Sequence, residues 1–191
     1  MDAVASRVGE RYEAMGLLVN NAGIPARGSF FDLPAERIDE VTRTNYLGSI
    51  WATRAFLPLL EHGAPAHVVN VVSVAGTVAY GPSGPYAASK HAQIAFSRNA
   101  AAELLRRGIR VHTILPGPVE TDGFPQRDLL ASPLGRRVVV SPEHVADAVV
   151  RAVENGRTET FVPAGWRAAA LAAAIAPRAM ARLAAHRRGR R

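Results

Sequence analysis

The 191-residue sequence contains no cysteine. This excludes a disulfide framework, thiolate metal sites and cysteine nucleophiles together. Its six histidines show no HExxH or comparable ligand spacing, so nothing points to a bound metal. No run of eighteen apolar residues occurs, which argues against a membrane-spanning helix. The opening stretch MDAVASRVGERYEAM lacks an apolar signal core and is too acidic for a transit peptide, so a cytoplasmic protein is expected. Acidic residues stop at Glu159. Residues 1–159 carry sixteen bases and sixteen acids, and the whole net charge of +7 comes from the seven arginines beyond. The chain therefore reads as a neutral domain with a basic tail. A nucleic-acid partner is not expected, because that tail has no interleaved aromatics.

Lysine is almost absent too: of 23 Lys+Arg residues, only Lys90 is lysine. It closes the stretch SVAGTVAYGPSGPYAASK, which holds a hydroxyl at Ser73 and a phenol at Tyr86. Tyr86 and Lys90 stand four apart, so on a helix they share one face. A free tyrosine, with a pKa of about 10, is a sluggish acid–base group at neutral pH. A nearby ammonium favours the phenolate and brings it into working range, which suits proton transfer to or from an alcohol or carbonyl oxygen. Ser73 could hold that oxygen from the other side. Alone, the pair also fits an ordinary i,i+4 contact on a helix.

With 48% hydrophobic residues, the chain can bury one substantial core. Val4, Val8, Arg11/Tyr12 and Met15 recur at helical spacing before Gly16. LLVNNAG (17–23) has the apolar run of a strand buried on both faces. A helix is expected from Asp32–Pro34, with Asp32 as cap, through about residue 60 and past Asn45. HVVNVVSV (67–74) predicts a strand delivering Ser73 to its C-terminal end, and a long helix follows from Pro85 to Arg107. IRVHTILPG (109–117) predicts another buried strand. ETDGFPQRDLLASPLGRR reads as a polar substrate lid or a plain surface loop. Ser141-Pro142-Glu143 caps a further helix, and TETFVP (158–163) gives the last strand. Alternating strands and helices imply an α/β fold with a parallel sheet.

NNAG, Asn45 in TNYLG, Ser73, the Tyr86-x-x-x-Lys90 pair and PGPVET (116–121) occur in this order. As an ordered set they resemble the short-chain dehydrogenase/reductase family from Met1 to about Pro163. The resemblance implies a Rossmann-like, doubly wound parallel sheet with helices on both faces. It implies hydride transfer between NAD or NADP and a secondary alcohol or ketone. Ser73 would orient the substrate, Tyr86 would move the proton, Lys90 would lower its pKa and bond the nicotinamide ribose, and Asn45 would hold a water in the relay. Asn20, Ala22 and Gly23 would line the cofactor, with Asn21 structural. Pro116 and Gly117 would open the loop over the nicotinamide, while Val119 and Thr121 would bond its carboxamide. Tyr80 would join Ser73 and Tyr86 in contacting substrate. The helices carrying Asn45 and Tyr86 would build a homodimer or homotetramer.

One part of the family pattern is missing. Upstream of Asn20 the only glycines are Gly9 and Gly16, and no G-x-x-x-G-x-G or G-x-G-x-x-G occurs anywhere. Such a turn, leading into a helix N-terminus, holds the pyrophosphate in dinucleotide folds. The resemblance is thus to the C-terminal two-thirds of the fold, with an N-terminally truncated sheet expected. The alternative this raises is a catalytically impaired chain acting as a non-enzymatic dimerising partner. Residues 1–165 are expected to form the domain and 166–191 an alanine- and arginine-rich helical tail broken at Pro177. The tail could cover the substrate pocket or a dimer mate, lie on an anionic membrane surface, or fray in solvent.

Overall fold

Four short apolar runs become the strands of one parallel sheet. In a computed structural model, which describes residues 1–78 and 83–188, the strands are β1 (Leu17–Asn20), β2 (Ala66–Val71), β3 (Ile109–Pro116) and β4 (Glu159–Val162). They lie in the order β1-β2-β3-β4, all parallel. Parallel neighbours need crossover connections, and helices supply them. The first crossover holds α2 (Ala35–Thr42), a π-helical turn (Arg43–Leu47) and α3 (Gly48–His62). The second is α4 (Gly84–Leu105), and the third includes α7 (Pro142–Glu154). Helix α1 (Asp2–Gly9) precedes the sheet, while α8 (Trp166–Ile175) and α9 (Pro177–Arg188) follow it.

Alternation along the strands sorts the core into two layers. Ala66 and Val68 of β2 and Ile109 and Val111 of β3 pack against Phe56 and Leu60 of α3 and Ala100 and Leu104 of α4. Val69, Ile114 and Val162 face the other way, onto Ala148 and Ala152 of α7. Helices therefore cover both faces, giving the expected doubly wound α/β arrangement. Among the described residues, no helix is long and apolar enough to cross a membrane.

Several local expectations are corrected. β1 is not buried on both faces: Leu17 and Val19 are 46% and 42% exposed. Among the described residues it is an edge strand paired with β2 alone. Helix α1 ends at Gly9, not near Met15; Met15 instead sits in a loop whose N–H donates to Leu59 O. Asp32 does not cap α2, because the chain turns at Ser29 and the cap position falls to Pro34. The glycine-punctuated stretch after β3 is no plain loop, since it folds α5 (Arg127–Leu130) and α6 (Pro133–Val138). Ser132 caps the second through Gly135 N at 2.9 Å. Tyr80 lies outside the described residues.

Candidate active site

β2 ends at Val71, two residues short of Ser73, so the serine sits just beyond the strand. It opens a 3-10 turn (Val74–Gly76), and its Oγ accepts from Ala75 N at 3.1 Å. Gly76 presses this turn onto α4: a Cβ there would stand 2.8 Å from Lys90 O and 2.7 Å from Ile94 Cδ1. Such an approach admits only glycine. It brings Ser73 beside the first turn of α4, where Tyr86 follows Pro85. Ser73, Tyr86 and Lys90 all line one cleft of about 920 Å³. The cleft opens at the carboxyl ends of β1, β2 and β3, where ligands bind in open α/β sheets.

Lys90 is 3% exposed, and its Nζ donates to Gln93 Oε1 at 2.9 Å and to Val71 O at 3.3 Å. Among the described residues, no carboxylate pairs with it. Burial without a counter-charge disfavours the ammonium and holds its pKa down to about 8. Burial also pushes the Tyr86 phenol above its ordinary value, with the hydrogen bond to Ser73 opposing that rise. The expected depression of the phenol by Lys90 is not found in this state. Nζ lies 5.8 Å from the ring centroid and is turned toward Gln93 and Val71.

Asn45 falls inside the π-helical turn, a distortion that often marks functional positions. The residue is fully buried. Its Oδ1 accepts from Ile24 N at 2.8 Å, and its Nδ2 donates to Ile24 O and Ser89 Oγ, both at 3.1 Å. The side chain thus clamps the loop after β1 to α4, and Gly23 is held where a Cβ would meet Asn45 Oδ1 and Lys90 Nζ at 3.5 Å.

The two asparagines of NNAG take places opposite to those expected. Strand alternation turns Asn20 away from the cleft, and its Nδ2 donates to Thr53 Oγ1 at 3.1 Å and Asn70 Oδ1 at 2.8 Å. Asn21 lines the cleft instead, together with Gly23 and Val19. Ala22 is exposed on the same loop.

Pro116, Gly117, Val119 and Thr121 form the facing wall. Val119 is held beside Val140, whose N–H donates to Pro118 O at 2.9 Å. Thr121 Oγ1 accepts from Phe124 N at 3.1 Å, which closes a small turn. That turn sets the Phe124 ring 5.8 Å from the Tyr86 ring, at 55°. Gly117 is covered by the Trp166 indole, whose Nε1 a Cβ would meet at 2.4 Å. Gln93 had no place in the sequence reading, while Asn21 was expected to be structural, and Phe124 and Trp166 entered it only as parts of a lid and of a tail that could cover the pocket. Gln93 alone carried a usable signal: a polar residue one turn after Lys90, in line with it and with Ser97 on the buried face of the helix.

Residues 1–128 match the family model for short chain dehydrogenase. The chain is 37% identical over 150 residues to a 1-deoxy-11-beta-hydroxypentalenate dehydrogenase of Streptomyces exfoliatus, covering 76% of this chain and 54% of that protein. It is 31% identical over 146 residues to the ketoacyl reductase HetN of a Nostoc species, covering 76% and 50% respectively. The chain therefore spans about half the length of these curated relatives. Among solved structures, a short chain dehydrogenase from Burkholderia cenocepacia in complex with NADP superposes with a TM-score of 0.77 at 27% identity, covering 94% of this chain and 73% of that one. With the matched model extending over two thirds of its residues, and with Ser73, Tyr86 and Lys90 meeting at one cleft, the chain belongs to the short-chain dehydrogenase/reductase family.

Proposed function

We propose that this chain provides the proton-transfer and nicotinamide-side half of an oxidoreductase acting on a secondary alcohol or ketone, with NAD or NADP. The observation that carries this reading is the meeting of Ser73, Tyr86 and Lys90 at one cleft, from a turn and a helix, at the carboxyl ends of the strands. Tyr86 Oη donates or accepts the proton on the substrate oxygen, and Ser73 Oγ holds that oxygen. Lys90 stabilises the phenolate as it forms and bonds a ribose hydroxyl. Asn45 clamps the loop after β1 to α4 beside Lys90, and a relay water held near it belongs to the same proposal. When bound, the nicotinamide nucleotide supplies or accepts the hydride. The relatives named as a dehydrogenase and a ketoacyl reductase act on this type of group, which supports the substrate class.

The residues present fit part of such a cofactor. Gly23 leaves open the space beside Lys90 Nζ that a Cβ would fill, which suits a ribose edge. Pro116, Gly117, Val119 and Thr121 present the opposing wall for a nicotinamide ring. Asn21 and Gly23, rather than Asn20, would lie along it. For the pyrophosphate, the sequence offers no glycine-rich turn. Nothing in the fold or the relatives favours a purely non-enzymatic dimerising role. Assembly through the outer faces of α3 and α4 as a homodimer or homotetramer belongs to the same proposal.

The test is a fluorescence titration of the purified chain with NADH and with NADPH, alongside Lys90→Ala. Saturable binding to one or both, weakened at least about tenfold by losing a charge-assisted bond, is the expected result. A folded chain that binds neither at millimolar concentration overturns the reading.

A further inference from the structure

Gln93 is fully buried, one turn beyond Lys90 on α4, and it faces the lysine rather than the apolar core. Its Oε1 accepts from Lys90 Nζ at 2.9 Å, and its Nε2 donates to Ser49 Oγ at 2.8 Å. Ser49 Oγ donates onward to Asn45 O at 3.4 Å. The direction of this chain is forced. An ammonium has only donors, so the atom facing it must be the amide oxygen, and the NH₂ group must then point to α3. Ser49 can accept from that NH₂ because its own proton is directed to Asn45 O.

The choice of a neutral amide has consequences for the cation. A carboxylate at this position would pair with the ammonium and tie its protons down. An aliphatic side chain would leave Val71 O, at 3.3 Å, as its one remaining protein acceptor among the described residues. With glutamine, two protons are held from below, and the space above Gly23 remains for the third. We infer that Gln93, aimed by Ser49, is a positioning residue for Lys90 that fixes the ammonium at the cleft floor with one donor left for a ligand hydroxyl. The ligand part of this inference rests on the function proposed above. The Gln93–Lys90 coupling does not.

Lys90 is the only lysine in the chain, so ¹³C,¹⁵N-lysine labelling gives a single side-chain signal in a nuclear magnetic resonance spectrum. Its pH titration would be followed in the wild type, Gln93→Leu, Gln93→Glu and Ser49→Ala. The wild-type midpoint is expected near 8. Gln93→Leu should lower it by about one pH unit or more, and Gln93→Glu should raise it by a similar amount. Ser49→Ala should move it in the same direction as Gln93→Leu, but less. Coincident midpoints in the wild type and Gln93→Leu would overturn the inference. If the leucine variant does not fold, an unraised midpoint in Gln93→Glu overturns it instead. A merely structural glutamine would change melting behaviour and leave the lysine titration in place. Adding NADPH to the wild-type sample separates the two readings. A Lys90 signal indifferent to the nucleotide counts against the proposed function, while the variant midpoints still decide the role of Gln93.

Discussion

The two walls of the cleft are built on different principles. On the α4 side, Lys90 and the backbone of Tyr86 rest on side chains that are themselves buried and bonded: Gln93, Ser49, Asn45 and Ser89. On the facing side, Pro116–Gln126 is an irregular strip tied by local bonds of its backbone and of the Glu120, Thr121 and Gln126 side chains, and followed by two brief helices. Proton-handling groups must be aimed before the ligand arrives, because reorienting them during the reaction would add to the barrier. A wall that only follows ligand shape needs no such scaffold. The first wall spends stability on a buried, uncompensated cation; the second spends little on anything.

The sharpest way to break this contrast is to remove that cation. The lysine pKa is about 8 in the folded chain against an ordinary 10.5. Between these values the unfolded chain holds more protons, so stability should rise as pH increases from 8 toward 10. Below pH 8 the full penalty applies, up to about 3 kcal/mol. Lys90→Met removes that penalty but strands the Gln93 Oε1 and Val71 O acceptors, at about 1 kcal/mol or more each, so it should be more stable than wild type at pH 7 by no more than about 1 kcal/mol. It should also lose the rise toward pH 10. Urea unfolding at pH 7 and pH 9.5 checks both, and a variant less stable at pH 7 would show that the lysine is a net stabiliser.

Gly76→Ala attacks the same wall through its backbone. The added methyl meets Lys90 O and the Ile94 side chain below 3 Å, so the turn must lift from α4. Overpacking of this kind costs about 1–3 kcal/mol. Because Ser73 travels with the turn, turnover should fall more than substrate affinity. An alanine variant with wild-type unfolding and turnover would mean that the turn is free to move.

The sequence showed the two walls unequally, for physical reasons. β2, β3 and α4 were legible because β-branched runs and a long capped helix carry their own local signal, and the Tyr86–Lys90 spacing fixed one face of that helix. β1 was misjudged because burial depends on what pairs with a strand, which LLVNNAG does not contain. The exchange of places between Asn20 and Asn21 turns on strand phase, where one residue flips the face. Phe124 and Trp166 lie in the stretches read as a lid and as a tail that could cover the pocket, but no local pattern singles out either ring. Gln93 was within reach, since a buried polar residue beside a buried cation must bond to something.

Phe124→Ala probes the weaker wall and should have the smallest effect. Its ring touches Tyr86 from an irregular strip, so the loss of the aromatic contact should cost no more than about 0.5–1 kcal/mol. The more specific consequence falls on the phenol. Burial is the main cause of the raised Tyr86 pKa, and Phe124 supplies part of that burial. Without the ring, the phenol should hydrate and its titration should move down toward the ordinary value of 10. Ultraviolet difference titration of the variant against wild type would isolate this one change among the four tyrosines. A downward shift with nearly unchanged unfolding would place Phe124 in a lid that tunes the site without holding the fold. An unshifted phenol, with a stability loss as large as that of Gly76→Ala, would make the facing wall part of the scaffold and erase the distinction between the two.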